Sequence, residues 1–350
     1  MTRRLSRPTR STRHSSAMRR HRPAAADDPP ADQPDAAEQA ERAEPVEHAR
    51  GADDRVGAAL VAERPRLVGL AYRITGSRID AEDIVQEAWL RARRADPATI
   101  ERPAAWLTTV VARLALDHLR SARHRRETYV GPWLPEPVVT SVVAATPSGD
   151  PAMAAELAES LTFGFLRVLE TLTPIERVVF LLADVFDTPL PEIAQVIDRS
   201  PQATRQVASR ARRRVRAGEV RREAPDDAAR VVVELIDALG AGDSDRAIAL
   251  LAEDAVLVSD GGPRAHAARR PVVGRDRVSR FLQNLTRRFA EADVRVEPAL
   301  CNGEPGAVVR QGDRCLAVAS AHVVDDEVAA IYVVVNPDKL AALEIAGPMV

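Results

Sequence analysis

Cysteine, lysine and aromatic residues are all scarce in this chain. Two cysteines occur in 350 residues, aromatics make up 3%, and Lys339 is the one lysine among 49 basic residues. Cys301 and Cys315 have no metal-ligand spacing, which excludes a zinc ribbon or a disulfide framework and points to free thiols in a reducing cytoplasm. There is no run of about 18 apolar residues, so no membrane-spanning helix is expected. The basic N-terminus is not followed by the apolar core of a secretory signal. The near-replacement of lysine by arginine reads as coding bias first and as a functional choice second. No metal, cofactor or membrane partner is expected.

Charge is present but segregated. The formal net charge is -2. Basic runs nevertheless occupy 2–22, 113–126 and 205–222, and acidic runs lie at 26–47 and 253–260. Local fields, rather than net charge, govern nucleic-acid binding.

Residues 1–50 carry Arg, Ala, Pro, Asp and Glu with few large apolar side chains. They are expected to stay disordered, because they cannot bury enough surface to offset ordering entropy. From 51 to 127 the pattern is helical. One helix is expected over 56–74, with Leu60, Leu67, Leu70 and Ala71 on its apolar side. A second is expected from an N-cap at Asp80, with Ile84, Val85, Ala88, Trp89 and Leu90 inward, and a third from Pro103 through Trp106, Leu107, Val110 and Leu119. Residues 128–153 form a linker too rich in Pro and Gly for helix or strand. Its Trp133 and Leu134 suggest docking on a partner or a neighbouring domain.

A second helical unit is expected over 154–222. Thr173-Pro174-Ile175-Glu176 is a capping box with Pro at the first helical position. After it, Ile193, Ala194 and Ile197 share one face of a short helix. A break follows at Asp198-Arg199-Ser200, and a helix opens on Ser200 and Pro201. Thr204, Val207, Ala208, Ala211 and Val215 lie on one side of that helix; Gln202, Arg205, Gln206, Ser209, Arg210 and Arg213 lie on the other. Six arginines and no acid occur between Pro201 and Arg216. Helix, turn and basic amphipathic helix is the pattern of a major-groove reader. Arginine can bond guanine bidentately and glutamine adenine, while Arg212, Arg213 and Arg216 suit phosphate contacts.

The last unit, 225–350, begins with helices over 227–239 and 243–251. It continues with β-branched runs at 255–259, 294–296, 307–309, 316–319 and 328–335, an α+β pattern with a curved antiparallel sheet. Asp254, Asp260 and His266 are the candidates if this unit is an enzyme, but no acid and base are paired by spacing.

Three segments carry a resemblance: DAEDIVQEAWLRA at 80–92, WLTTVVARLALDHLRSARHRR at 106–126, and LTPIERVVFLLADVFDTPLPEIAQVIDRSPQATRQVASRAR at 172–212. Together they resemble regions two and four of extracytoplasmic-function RNA polymerase sigma factors. YVGPWLPEPV in the linker, SDGGPR at 259–264 and NPDKL at 336–340 are similar to the sigma-factor-J type, whose C-terminal domain is SnoaL-like and cone-shaped. The resemblance implies a multidomain fold: two all-α sigma domains followed by an α+β module. It implies a non-enzymatic factor that binds core polymerase, reads minus-ten and minus-thirty-five promoter elements and starts transcription, with the module acting in cis and no separate anti-sigma factor. Asp83, Gln86 and Glu87 would grip the clamp of the polymerase large subunit. Arg113, Arg120 and Arg123 would contact DNA near minus ten, with Arg113 where many relatives have Asn. Trp133, Leu134, Asp260, Asn336, Pro337, Asp338 and Lys339 would form the regulatory contact, with Asp338 and Lys339 exposed after the stop at Asn336-Pro337. Pro263 and Arg264 replace a usual Gly and Lys, and Asp198 and Thr204 a usual Gly and Val. The competing reading is a DNA-binding regulator whose last unit is a small-molecule sensor or an isomerase-like enzyme.

Overall fold

A computed structural model describes residues 36–96, 99–127, 129–141, 162–217, 225–290 and 293–343. The chain divides into two units, Met1–His48 and Ala49–Val350, and the contacts below belong to the second. Of the stretch expected to be disordered, residues 1–35 lie outside the described residues. Helix α1 (Ala36–Thr75) begins well ahead of the start expected at residue 56, because the Ala- and Glu-rich stretch before it has high helix propensity.

Gly76, at φ 73°, closes α1, and its N–H donates to the Tyr72 carbonyl at 2.6 Å. Helix α2 (Arg78–Ala92) starts earlier than expected. Ser77, not Asp80, is its N-cap, and the Ser77 hydroxyl accepts the Asp80 N–H at 3.2 Å. Asp80 sits in the first turn, where a carboxylate complements the helix dipole, and pairs with His118 at 3.2 Å. Helix α3 is Pro103–Glu127.

The linker contains a strand where none was expected. Just after Pro137, β-branched Val139 and Thr140 form β1 (Val139–Ser141), which pairs antiparallel with a strand of the C-terminal module.

Helix α4 (Phe163–Glu170) is capped by Thr162. Helix α5 (Pro174–Phe180) has the expected capping box. A π-helical turn, Leu181–Val185, follows it directly. Helices α6 (Leu190–Val196) and α7 (Pro201–Ala217) follow. Asp198 takes φ 53° in the turn between them; Asp tolerates this left-handed conformation better than most residues because its short side chain bonds locally. Thr204 is fully buried, and its hydroxyl bonds the Ser200 carbonyl at 3.0 Å, which satisfies the polar group a valine would lack. One apolar core is shared by both helical units, from Leu67, Leu70, Ile84 and Leu107 to Leu169, Leu182, Ile193 and Ala211.

The C-terminal module comprises α8 (Pro225–Ala241), α9 (Ser244–Ala249), β2 (Leu251–Asp260), β3 (Val272–Val273), α10 (Arg275–Ala290), β4 (Arg295–Cys301), β5 (Glu304–Gln311), β6 (Arg314–Val324), β7 (Glu327–Val334) and α11 (Pro337–Leu340). The sheet order is β1-β4-β5-β6-β7-β2-β3. The sheet is mixed rather than wholly antiparallel, because β2 and β7 run parallel. Helix α10 and strand β3 had no counterpart in the expected pattern. Alternation along β7 divides the module into two cores. Ile331 and Val333 face α8 and α10, with Val231, Leu235, Val278 and Leu282. Tyr332 and Val334 face the other way, where Leu134 of the linker, Phe163 of α4 and Leu340 of α11 cover the sheet.

Candidate nucleic-acid interface

The outer face of α7 holds Gln202, Arg205, Gln206, Ser209, Arg210 and Arg213, all exposed, opposite the buried Val207, Ala208, Ala211 and Val215. Amides, a hydroxyl and arginines on one exposed face can donate to base edges and phosphates. Arg212, expected to suit a phosphate contact, also has a partner within the fold. Its Nε donates to Asp184 at 2.7 Å, so it staples α7 to the π-helical turn.

Glu176 organises the helix from behind and is buried. Its Oε2 accepts the Thr173 N–H at 3.0 Å and the Thr173 hydroxyl at 2.8 Å. It also pairs with Arg214 at 2.6 Å and with Arg210 at 3.7 Å. Burial alone would raise its pKa; the hydrogen bonds from Thr173 and the charges of Arg214 and Arg210 outweigh that and hold it below the usual glutamate range.

The face of α3 is engaged by the second helical unit. Arg113 Nη2 donates to the Gln195 carbonyl on α6 at 2.6 Å, and Arg102 pairs with Glu192 at 3.0 Å. Arg120 pairs with Asp117 at 3.3 Å; the Arg123 side chain lies outside the described residues. Trp106 is half-buried against the shared core. The pattern offered no sign of Arg177. It is buried on α5 and reaches the carbonyls of Leu169 at 3.0 Å and Ile74 at 2.9 Å, tying the two helical units together.

On α2, Asp83 and Gln86 are exposed, and Glu87 pairs with Arg91 at 2.9 Å. Trp89 and Leu90 were expected in the core but are exposed. Their positions follow Ala88 around the helix, and Trp89 instead lies under the Arg93 guanidinium, 5.9 Å away.

The linker is gripped from both sides. Asp260, fully buried, accepts the Tyr129 hydroxyl at 2.6 Å, the Leu134 N–H at 2.8 Å and the Gly262 N–H at 3.0 Å. Lys339 donates to Asp260 at 2.7 Å and also to the Leu134 carbonyl. Its ammonium sits 4.2 Å from the Trp133 ring centre and 5.3 Å from that of Tyr129, within cation–π range. Asn336 caps α11 through the Asp338 N–H at 3.1 Å and donates to the Tyr129 hydroxyl at 2.8 Å. Burial and the neighbouring Asp260 push the Tyr129 hydroxyl well above the usual tyrosine range.

Lys339 is therefore not exposed as expected: Asn336-Pro337 starts a short helix that turns it inward, and its side chain is 9% exposed. Asp338 does stay exposed and pairs with Arg264, while Pro263 sits exposed in the turn after Gly262. Asp254 and His266 are exposed and apart from this network.

From the other side, Glu136 accepts the Tyr72 hydroxyl on its carbonyl at 2.6 Å and the Arg78 N–H on its carboxylate at 2.7 Å. Its N–H donates to the Gly76 carbonyl at 2.9 Å. Asn302, in the β4–β5 turn, joins all three parts. It donates to the Tyr72 hydroxyl at 2.9 Å, and its amide oxygen accepts the Val138 N–H at 2.9 Å. A further buried pair, His322 and Glu304 at 2.9 Å, lies on β6 and β5.

Residues 60–125 match the Sigma-70 region 2 family, 163–215 the Sigma-70 region 4 family and 232–340 the SnoaL-like domain family. The chain is 45% identical over 288 residues to the ECF RNA polymerase sigma factor SigJ of Mycobacterium tuberculosis, covering 79% of this chain and 91% of that one. SigI of the same species is 35% identical over 301 residues, covering 84% and 98%. The crystal structure of M. tuberculosis SigJ superposes with a TM-score of 0.65 at 42% identity, covering 80% of this chain and 96% of that chain.

Proposed function

The chain belongs to the extracytoplasmic-function RNA polymerase sigma factors, and we propose that its SnoaL-like module regulates it in cis by holding the linker and keeping the two DNA-reading domains closed on each other. Sigma factors of this family bind core RNA polymerase, recognise promoter DNA and initiate transcription; the chain is a non-enzymatic transcription factor of that kind. In this reading Gln202, Arg205, Gln206, Ser209, Arg210 and Arg213 read the minus-thirty-five element. Arg113, Arg120 and Arg123 contact the minus-ten region, and Asp83, Gln86 and Glu87 meet the clamp of the polymerase large subunit. The protein works in the cytoplasm and needs no separate anti-sigma factor.

The observation that carries the reading is the Arg113–Gln195 hydrogen bond. A side chain proposed to meet DNA is held by the carbonyl of a helix in the other DNA-reading domain, so α3 and α6 must separate before Arg113 can act. The clamp of Asp260 and Lys339 on Leu134 opposes that separation, because it holds the linker that joins the two domains. Its test is in vitro transcription with reconstituted holoenzyme. Lys339→Met releases the linker, and more transcript per unit of polymerase at limiting sigma factor is expected. Equal output from both proteins sinks the cis mechanism.

A ligand-binding or isomerase-like module has one observation in its favour, the buried Glu304–His322 pair. That pair lies in the half of the sheet covered by linker and region-four residues: Phe163 packs against Tyr332 with ring centroids 5.8 Å apart and the rings tilted by 32°, and Leu134 fills the same core. Intramolecular docking is the use of this surface that the geometry supports best.

A further inference from the structure

We propose that the outer face of α10 is a third DNA-contacting surface, through which the C-terminal module holds the phosphate backbone without reading sequence. Residues 261–290 contain eight arginines and one acid, Asp276. The rest of the module, 225–260 and 291–343, contains six basic residues and eighteen acids. A solvated surface selected only for solubility mixes its signs; here the positive charge is concentrated on one helix and the loop leading into it.

The helix period separates the two faces of α10. Val278 and Leu282 are buried against the module core. Arg277, Arg280, Asn284, Arg287 and Arg288 are exposed and fall within one third of a turn of one another at 100° per residue. From Arg277 to Arg288 this stripe is about 16 Å long, enough to follow several successive phosphates of a duplex. Among the described residues none of these four arginines forms an ion pair. Arg280 Nε donates to the Asp276 carbonyl at 3.1 Å, and Arg287 Nη2 to the Asn284 side chain at 2.8 Å. Arg277 and Arg280, three residues apart on this face, repel each other, and an external anion would neutralise the stripe. Arg269 and Arg270, exposed in the loop before β3, extend the same sign beyond the start of the helix.

Duplex DNA is the polyanion that charge and context favour. The chain already carries two domains that bring it to promoter DNA, so a third contact on the same chain forms at high effective concentration and needs little affinity of its own. The face is also built like the outer face of α7, from arginines and an amide.

The test measures binding of the full chain to a labelled 40-base-pair duplex of random sequence by fluorescence anisotropy, between about 50 and 200 mM salt. Two double variants, Arg277→Gln with Arg280→Gln and Arg287→Gln with Arg288→Gln, keep the helix and remove charge. Each is expected to flatten the slope of log affinity against log salt by about 1 to 2, since each phosphate contact contributes about 0.9. The same loss is expected on any sequence. The variant Arg213→Ala with Arg216→Ala, exposed positions on α7 that suit phosphate contacts, serves as the positive control. A slope unchanged in both α10 variants, with native thermal midpoints and an altered slope in the control, overturns the proposal. Unchanged DNA binding with weakened binding to core polymerase, or to phosphatidylserine vesicles, overturns it in favour of an acidic protein surface or an anionic membrane.

Discussion

Lys339 and Asp260 meet at 2.7 Å with side chains 9% and 0% exposed, and the backbone of Leu134 is held between them, its N–H on the carboxylate and its carbonyl on the ammonium. One ion pair thereby fixes Leu134 of the linker against Asp260, 126 positions further along the chain. Tyr129 and Gly262 supply the carboxylate's remaining hydrogen bonds, so the buried charge is fully partnered. That is the condition under which such a pair is tolerated away from water.

Removing one member should cost far more than the pair itself is worth. Asp260→Ala takes the anionic partner from a buried ammonium and the acceptor from a tyrosine hydroxyl and two backbone N–H groups. A loss of about 3–5 kcal/mol is expected for breaking a buried pair, localised to the linker and α11. Urea denaturation would give the loss of stability, and limited proteolysis should find residues 129–141 cut faster than in the parent. A linker as resistant as before would show that other contacts hold it.

Gly76 predicts a second effect on the other side of the same stretch of linker. It has φ 73°, and a Cβ there would overlap the Trp133 ring. Gly76→Ala should therefore cost about 1 kcal/mol for the left-handed backbone alone, with a further loss from displacing Trp133. Thermal unfolding of Gly76→Ala, Trp133→Ala and the double variant separates the two. The steric part should vanish in the double variant and the backbone part persist.

The helical half was the more legible from sequence. Capping residues and the 3.6-residue period announced α3, α5 and the α6–α7 pair, because those signals are local. The module was less so. Helix α10 went unexpected although Val278, Leu282 and Leu285 fall at helical spacing, since only a narrow apolar stripe emerges from among its five arginines. Asn302-Gly303 is a hairpin signal that could have been used: φ is 54° and 75° there, between β4 and β5. Its side-chain role as a bridge to Tyr72 could not, because a contact across 230 residues leaves no local trace. The inward turn of Lys339 and the pairing of Arg212 with Asp184 escaped for the same reason. A charged residue reads as exposed until its partner, distant in sequence, is seen.

Acid should loosen the seat of α7. The Glu176 pKa is lower in the folded chain than the ordinary glutamate value. The stability this contributes is therefore present above the unfolded pKa, about 4.3, and is lost as pH falls through the lower folded value. Urea midpoints of the parent should drop on acidification below about pH 4.5, and Glu176→Gln should drop less steeply while starting lower at neutral pH. Parallel curves for the two proteins would assign the acid sensitivity to other carboxylates.

Base readout and phosphate contact on α7 can be told apart by the sequence dependence of the loss. Arg205 and Gln206 lie toward the N-terminal half of the helix, the part that approaches base edges in helix-turn-helix docking. Arg205→Ala and Gln206→Ala are each expected to cost about 1–3 kcal/mol on a preferred promoter and much less on a scrambled one. Arg213→Ala, further along the same face, should weaken both about equally and flatten the salt slope by about 1. Holoenzyme binding to the two duplexes at fixed salt measures all three. Equal losses on both sequences for Arg205→Ala would place that guanidinium on phosphate, leaving Gln206 and Gln202 to choose the bases.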